Sequence, residues 1–299
     1  MTGTQLDSSF ISVIVPVYND PIGLRMTLES LVSQNDDDDY EIIVVDNNST
    51  DGTHDVAESF SEDNDLIRVA VEKEFQSSYA ARNRGIEIAR GSILCFIDAD
   101  MTVEDGYIEK VRESVSKSES MYFGLNVEIY LPEETIVGKY NRAYGFPVAE
   151  FIKERNFVPT CCLVVRRELI DAVGDFDERM ISSGDVEFGQ RVARAGYGQE
   201  YLSKVVVYHP ARTTLRSMMK KKYRIGRGQV QRAHRHPGFF DLQHPLHPRR
   251  FLPQRPLLLR KRMSEEPFLR FLLYYVIEYV LRLANTAGTL SEWYNLKRR

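Results

Sequence analysis

The chain has 299 residues, of which 43% are hydrophobic and 27% are charged, as in a globular protein with a substantial core. Its formal net charge is -4, and its first residues lack a cationic start followed by an apolar run, so no secretory signal peptide is predicted. Three cysteines, Cys95, Cys161 and Cys162, lie in apolar contexts. They favour reduced core thiols over disulfides and predict a cytoplasmic protein.

The charges are divided unevenly along the chain. Residues 1–210 contain 38 acidic and 19 basic side chains, whereas residues 211–262 contain 15 basic side chains and a single acidic one, Asp241. This asymmetry predicts two surfaces that meet different partners.

The first hundred residues alternate between predicted strands and predicted helices. Asp20 and Pro21 are typical of an N-cap and a first helical residue, and a second helix is predicted from about residue 77 to Arg90, ending at Gly91. This alternation predicts a parallel sheet with helices on both faces, which binds ligands beyond the carboxyl ends of its strands. The predicted strands are short, apolar runs at 11–15, 42–45, 66–71 and 93–97.

Two carboxylates, Asp98 and Asp100, directly follow the fourth predicted strand in the stretch ILCFIDADM. Side chains two residues apart point to the same side, so the two negative charges repel each other unless a cation lies beside them. A divalent cation carrying phosphate oxygens would supply that charge, although an Asp-x-Asp pair in a loop also occurs without a metal. A calcium-binding loop is excluded because Val103 stands where its sharp turn needs glycine.

Further motifs follow or precede the other predicted strands: VPVYND at 15–20, VVDNNSTDGT at 44–53 and YAARNRGIEIARG at 79–91. Together with the Asp98 segment, with VGDFDERMISSGDVEFGQRVARAGY at 173–197 and with VVVYHPART at 205–213, they resemble the family 2 glycosyltransferases, in order and spacing, over roughly residues 10–228. The resemblance implies an α/β fold of the GT-A (Rossmann-like) type, with a mostly parallel sheet sandwiched by helices. A helical, basic C-terminal extension would follow it.

On the donor side, the resemblance implies roles for four residues. Asp46 is similar to the carboxylate that accepts hydrogen bonds from the nucleotide base, and its alternative role is to cap the following turn. Pro16 and Tyr18 are similar to residues that line the base and ribose, with core packing as the alternative for Tyr18. Arg82 resembles the family arginine beside the nucleotide, where a guanidinium can serve the base edge or the phosphates.

The same resemblance implies a site for Mn²⁺ or Mg²⁺. Asp98 is similar to the carboxylate that holds the ribose or a metal-bound water, and Asp100 to the direct metal ligand. His209 matches the position at which many members add an imidazole ligand, and a structural role is its alternative. The metal would bridge both phosphates of the donor.

On the acceptor side, the resemblance implies that Asp185 is the catalytic base and that Glu187 orients the acceptor. Gly184 replaces the first glutamate that members commonly carry here. Asp185 would take a proton from the acceptor hydroxyl while that oxygen attacks the anomeric carbon opposite the diphosphate, inverting its configuration. Because Asp185 lies near a predicted helix start, capping that helix is its alternative role.

The C-terminal third predicts further partners. Residues 212–228 are predicted to be partly helical, residues 236–267 to be a Pro-interrupted connector, and residues 268–284 to be an amphipathic helix. Within that helix Arg270, Tyr274, Glu278 and Arg282 share one stripe. The apolar remainder favours a membrane surface, the catalytic domain or a second subunit as its partner. Nucleic acid is not expected, because aromatic side chains are sparse in the basic region.

These features predict a catalytic domain over residues 1–228 and a basic extension over residues 229–299. The function implied is inverting, metal-dependent transfer of a sugar from a nucleoside diphosphate, by default UDP, to a hydroxyl acceptor. That acceptor would be lipid-linked or a polysaccharide, at the cytoplasmic face of the cell membrane, to which the protein would be peripherally bound. A homodimer is compatible with the apolar helix. The alternative is a non-catalytic module of the same fold that binds nucleotide sugar or membrane.

Overall fold

The protein is described here by a computed structural model covering residues 9–34, 40–237, 240, 243–264 and 266–298. Residues 1–8, on which the signal-peptide prediction rests, and parts of the predicted connector lie outside these ranges. The chain forms two compact units. The first unit comprises residues up to Glu128, Pro147–Arg179 and Asp185–His209, and the second comprises Ile129–Phe146, Met180–Gly184 and Pro210–Arg299. The assignment of catalysis to residues 1–228 stays a prediction.

Strands and helices alternate through most of the described chain. The strands are β1 (Ile11–Val17), β2 (Tyr40–Asp46), β3 (Ile67–Val71), β4 (Ile93–Phe96), β5 (Thr102–Val103), β6 (Tyr122–Tyr130), β7 (Leu163–Arg166) and β8 (Gln199–Pro210). The helices are α1 (Pro21–Val32), α2 (Thr53–Asp63), α3 (Ser78–Ile88), α4 (Tyr107–Ser116), α5 (Ile136–Tyr144), α6 (Val148–Arg155), α7 (Arg167–Val173), α8 (Gly184–Arg194), α9 (Leu215–Arg235), α10 (Pro256–Arg262) and α11 (Phe268–Lys297).

The strands form one mixed sheet in the order β3-β2-β1-β4-β7-β6-β8-β5. The four strands predicted from sequence are confirmed to within two residues, and they pair in parallel, as β2 with β3 and β1 with both β2 and β4. The apolar runs of β1, β2 and β4 are buried on both faces, as parallel strands covered by helices require, whereas β3 at the sheet edge is only partly buried beyond Ile67. The later strands β7 and β6 add antiparallel pairs, so the α/β fold is confirmed with a parallel half and an antiparallel half.

The start of α1 agrees with the sequence-based prediction, whereas the end of α3 does not. The Asp20 carboxylate accepts the Gly23 N–H at 2.9 Å, which caps α1 as predicted. The prediction that Gly91 ends α3 is wrong, because α3 ends at Ile88 with Ala89 in an extended conformation. Gly91 instead lies against β1, where an added Cβ would come within 2.6 Å of the Ser12 backbone nitrogen. Close backbone approach therefore explains this glycine.

The cysteine prediction is confirmed. Cys95, Cys161 and Cys162 are buried free thiols. Burial raises the pKa of Cys95 to about 12, so this thiol stays protonated and behaves as a small apolar core residue.

In the second unit, α9 and α11 pack in parallel through their backbones. The contacts between the two helices advance in the same direction along both. The Asn285 side chain donates to the Lys222 carbonyl at 3.2 Å, and further along both helices Arg227 donates to Glu292 at 2.7 Å. A Cβ added at Gly288 would lie 2.0 Å from the Tyr223 carbonyl oxygen. Glycine is therefore what permits this crossing.

A Gly288→Ala substitution is expected to destabilise the second unit by about 3 kcal/mol, because the rigid backbone of α9 must move to admit the methyl group. Denaturant unfolding followed by fluorescence measures this effect, since Trp293 is the only tryptophan and lies in α11. Gly198→Ala is the matched control, because its Cβ would meet nothing closer than 3.9 Å. Equal unfolding midpoints for the two variants would contradict the backbone contact.

The middle of the predicted polar stripe of α11, Tyr274 and Glu278, faces inward, whereas Arg270 is exposed and pairs with Glu266. Glu278 is buried and accepts a hydrogen bond from the Tyr140 hydroxyl, and Tyr274 packs edge-on against the same tyrosine ring. The apolar cluster around them joins α5, α9, α10 and α11. The predicted connector is less irregular than expected, since it contains α10 and a 3₁₀ turn at Pro248–Arg250. Among the described residues, no helix is both long and apolar enough to cross a membrane.

Candidate active site

The predicted donor-binding residues lie at one edge of the parallel strands. Val17 pairs with Asp46 at the ends of β1 and β2, and Pro16 is one residue earlier. The Ile97 N–H donates to the Ile14 carbonyl at 3.2 Å, so the chain leaves β4 at the same edge, directly before Asp98. Parallel strand ends thus gather residues that are far apart in sequence.

Asp46 is buried, with 3% of its surface exposed. Its Oδ1 accepts the Ser49 N–H at 3.0 Å, so the turn-capping role exists. Its Oδ2 lies 3.5 Å from His54 Nδ1, a nitrogen that has no hydrogen-bond partner. Sequence reasoning missed His54; its position in the first turn of α2, directly after the Asp46 loop, was the available signal. Capping therefore occupies one oxygen of Asp46 and does not exclude a ligand at the other.

The loops after β1 and β2 hold each other in place. The Asn19 N–H donates to Ser49 Oγ at 2.9 Å, and the Thr50 N–H donates to Asn19 Oδ1 at 2.8 Å. Asn19 has a positive φ of 51°, a conformation that asparagine tolerates better than most residues. Beside it the Tyr18 ring is 47% exposed, so core packing does not explain this tyrosine.

Arg82 and Asp98 form an ion pair at the same edge. The Arg82 guanidinium is buried, and its Nη2 lies 2.5 Å from Asp98 Oδ1 while Nη1 donates to the Ser78 carbonyl at 3.1 Å. Its Nε has no hydrogen-bond partner. Asp98 is 38% exposed, so the cation is buried behind a carboxylate that solvent or a ligand can reach. Such a pair keeps one positive charge close to any phosphate bound at this edge.

Asp100 and His209 are brought together by a short antiparallel pair. Asp100 lies in the turn after β4, and Thr102 in β5 pairs with Tyr208 in β8. His209, the next residue of β8, is buried. Because the strands run in opposite directions, His209 lies on the side of the pair from which the Asp98–Asp100 turn enters.

The residues present fit a metal ion that takes only some of its ligands from the protein and the rest from a bound phosphate compound and water. Among the described residues, no three His, Cys, Asp or Glu side chains form a preformed metal cage. Mg²⁺ and Mn²⁺ at phosphate sites need only one or two carboxylates, because phosphate oxygens and waters supply the other ligands. The side chains of Asp98, Asp100 and His209 have the oxygen and nitrogen atoms that such a metal takes as ligands.

Asp185 lies in the first turn of α8, after Ser183, which has a positive φ of 67°. The Asp185 N–H donates to the Tyr79 hydroxyl at 3.4 Å, and its Oδ1 accepts the Val186 N–H at 2.9 Å. Burial raises the pKa of Tyr122 well above its usual value, and the negative charge of Asp185 contributes. Asp185 is half-buried, and the contacts of its backbone N–H and of Oδ1 hold it at the start of α8.

Glu187 is buried and held by Arg191. Arg191 Nε and Nη2 lie 2.9 Å and 3.0 Å from the two Glu187 oxygens. The same guanidinium donates to the carbonyls of Val173, Gly174 and Asp175. Direct contact of Glu187 with an acceptor would require this pair to open, and its predicted orienting role stays a prediction.

Comparisons with known proteins agree with this geometry. A family model described as glycosyl transferase family 2 matches residues 12–174. Glycosyltransferase AglE of Haloferax volcanii is 38% identical over 224 residues, which cover 74% of this chain and 73% of that protein. Probable glycosyltransferase YdaM of Bacillus subtilis is 25% identical over 305 residues, covering 96% of this chain and 67% of that protein.

Solved structures share the fold. Mannosyltransferase PcManGT of Pyrobaculum calidifontis, solved with GDP-Man and Mn²⁺, has a TM-score of 0.66 at 19% identity, covering 95% of this chain and 87% of that one. TarS 1-349 of S. aureus, solved with UDP-GlcNAc, has a TM-score of 0.53 at 18% identity, covering 96% of this chain and 92% of that one. The predicted GT-A fold is thereby confirmed. Since the family model spans more than half of the chain, and AglE matches nearly three quarters of it, this protein is an enzyme that belongs to glycosyl transferase family 2.

Proposed function

We propose that this glycosyltransferase is inverting and metal-dependent, and that it moves a sugar from a nucleoside diphosphate, with UDP as the expected carrier, to a hydroxyl acceptor. One observation carries the proposal. Asp46, the Arg82–Asp98 pair and the turn containing Asp100 all lie at the carboxyl edge of the parallel strands. This edge is where open α/β sheets bind nucleotides.

On the donor side, each residue has a task that its surroundings support. Asp46 accepts hydrogen bonds from the base through the oxygen that the turn cap leaves available. Tyr18 and Pro16 line the base and ribose, since an exposed ring beside a rigid proline offers a stacking surface. Arg82 neutralises donor charge from behind Asp98.

Mn²⁺ or Mg²⁺ would be held by Asp100, with Asp98 and His209 completing its surroundings. When bound, the ion supplies the positive charge that stabilises the diphosphate as it leaves. Without a preformed cage among the described residues, metal and donor are expected to bind together.

On the acceptor side, Asp185 acts as the general base. It removes the hydroxyl proton of the acceptor while that oxygen forms a bond to the anomeric carbon, and the bond from that carbon to the diphosphate oxygen breaks on the opposite face. The electron pair leaves with the diphosphate, and the configuration inverts. Glu187 supports this step from a distance, because its pair with Arg191 fixes α8 against the loop at 173–175.

The acceptor remains a hydroxyl compound of two candidate classes, lipid-linked or polysaccharide. A lipid-linked acceptor would bring the protein to the cytoplasmic face of the cell membrane as a peripheral protein, as a monomer or a homodimer. We assign the transfer reaction to residues 1–228.

Calorimetric titration with UDP, GDP, dTDP and ADP, each with and without Mn²⁺, tests the donor site. We expect one nucleotide to bind in the presence of Mn²⁺ and to bind at least about tenfold more weakly without it. GDP is a necessary comparison because PcManGT was solved with GDP-Man, whereas TarS was solved with UDP-GlcNAc. If the folded protein binds none of the four, the non-catalytic alternative replaces this proposal.

A further inference from the structure

The first half of α11 exposes an apolar face. Leu269 is 74% exposed and Val276 is 59% exposed, and between them Leu272 and Leu273 are also exposed. These positions follow the spacing i, i+3, i+4, i+7, so they share one side of the helix. With Phe268, which is exposed as well, they are called the apolar face of α11 below.

The polar side chains of Tyr274 and Glu278 lie on the opposite side of the helix and do not cover this face. Glu278 binds the Tyr140 hydroxyl inside the second unit, and Tyr274 is fully buried beside it. The first half of α11 therefore buries Phe271 and Tyr274 on one side and exposes leucine and valine side chains on the other, where an ordinary surface helix is polar. A contiguous exposed apolar surface of this kind marks an interaction site.

A basic segment, residues 243–264, extends the apolar face. The Tyr275 hydroxyl donates to the Gln254 carbonyl at 2.9 Å and the Tyr279 hydroxyl to the Phe251 carbonyl at 2.9 Å, which fixes the segment along α11. It adds three exposed leucines, Leu246, Leu252 and Leu257, of which Leu257 is 83% exposed.

The charge of this segment is of one sign. Residues 243–264 contain five arginines and one lysine and no acidic residue. Arg249 and Arg255 are exposed beside the leucines. Apolar side chains bordered by cations match the interface of a bilayer that contains anionic lipids, where leucines reach the acyl chains and arginines meet headgroup phosphates.

From this we infer that the apolar face of α11 and the basic segment form a membrane-binding surface, with α11 lying in the plane of the bilayer interface. A second copy of the chain fits less well. A two-fold contact through this surface would bury the basic segment of each copy, and neither that segment nor the apolar face contains an acidic residue to pair with it. This inference concerns the second unit alone and does not depend on the transfer reaction.

Sedimentation of the full chain with vesicles tests the surface. We expect binding to vesicles of phosphatidylglycerol and phosphatidylcholine in equal amounts, weakened by salt, and little binding to phosphatidylcholine alone. The triple variant Leu269→Gln, Leu272→Gln, Leu273→Gln should reduce the partition coefficient at least about tenfold. The matched control, Ile22→Gln with Met26→Gln, removes exposed apolar residues of α1 and should leave it unchanged.

Two further variants test the role of the arginines and whether the apolar face enters the bilayer. Arg249→Gln with Arg255→Gln should weaken binding to the anionic vesicles about tenfold. In a Trp293→Phe protein, Leu272→Trp supplies a single tryptophan on the apolar face, and its emission should shift to the blue when anionic vesicles are added. Circular dichroism verifies that each variant is folded.

Absence of vesicle binding by the native chain would overturn the inference, as would equal binding by the triple glutamine variant. A concentration-dependent dimer that the same triple variant dissociates, without vesicle binding, would assign the face to a second copy of the chain instead.

Discussion

An Asp185→Asn variant is expected to bind the sugar donor with native affinity and to transfer sugar about 10²- to 10⁴-fold more slowly, because the amide cannot accept the acceptor proton. The substitution keeps the shape of the side chain, and the amide oxygen can still accept the Val186 N–H that now meets Oδ1 at 2.9 Å. Product formation under single-turnover conditions measures the transfer step, and calorimetry with the nucleotide measures binding.

Asp171→Asn is the control for this experiment, since it makes the same change of charge at an exposed position of α7. It should transfer at the native rate. If Asp185→Asn also transfers at the native rate, Asp185 is not the base, whatever the position of the donor site.

Asp100→Ala is expected to abolish the contribution of Mn²⁺ to donor binding. Loss of a direct metal ligand should weaken metal-dependent nucleotide binding more than about 100-fold, down to the affinity measured without metal. The matched control is Asp105→Ala, which removes an exposed carboxylate shortly after β5. Nucleotide titrations of both variants with and without Mn²⁺ give the comparison. Native Mn²⁺ dependence in Asp100→Ala would remove this residue from the metal site.

The residues at the carboxyl edge of the parallel strands could be predicted because each strand is recognised from a short stretch of sequence. Short apolar runs identify buried strands, and the end of each run identifies the residues that follow it, such as Asp46 and Asp98. Parallel pairing then places those residues at one edge without any knowledge of the later chain. The motifs supplied the rest of this site, including Arg82 on α3.

Features that depend on distant chain segments could not be predicted. Glu187 looks like an exposed helical acid in sequence, but it is buried, and Arg191 links it to the backbone carbonyls at 173–175. The orientation of α11 also depends on a contact with a residue that is distant in sequence. Periodicity shows that polar and apolar sides exist, but the hydroxyl of Tyr140, distant in sequence, decides that Glu278 faces inward.

That hydrogen bond between Tyr140 and Glu278 joins positions 138 residues apart. During synthesis, α5 therefore leaves the ribosome long before the helix that completes its cluster exists. The first unit has all of its residues once His209 has emerged, so it can fold on the nascent chain while the second unit waits. Until α11 arrives, Val137 and Met218 lack the α11 side chains of that cluster, and such transiently exposed apolar surface is prone to aggregate.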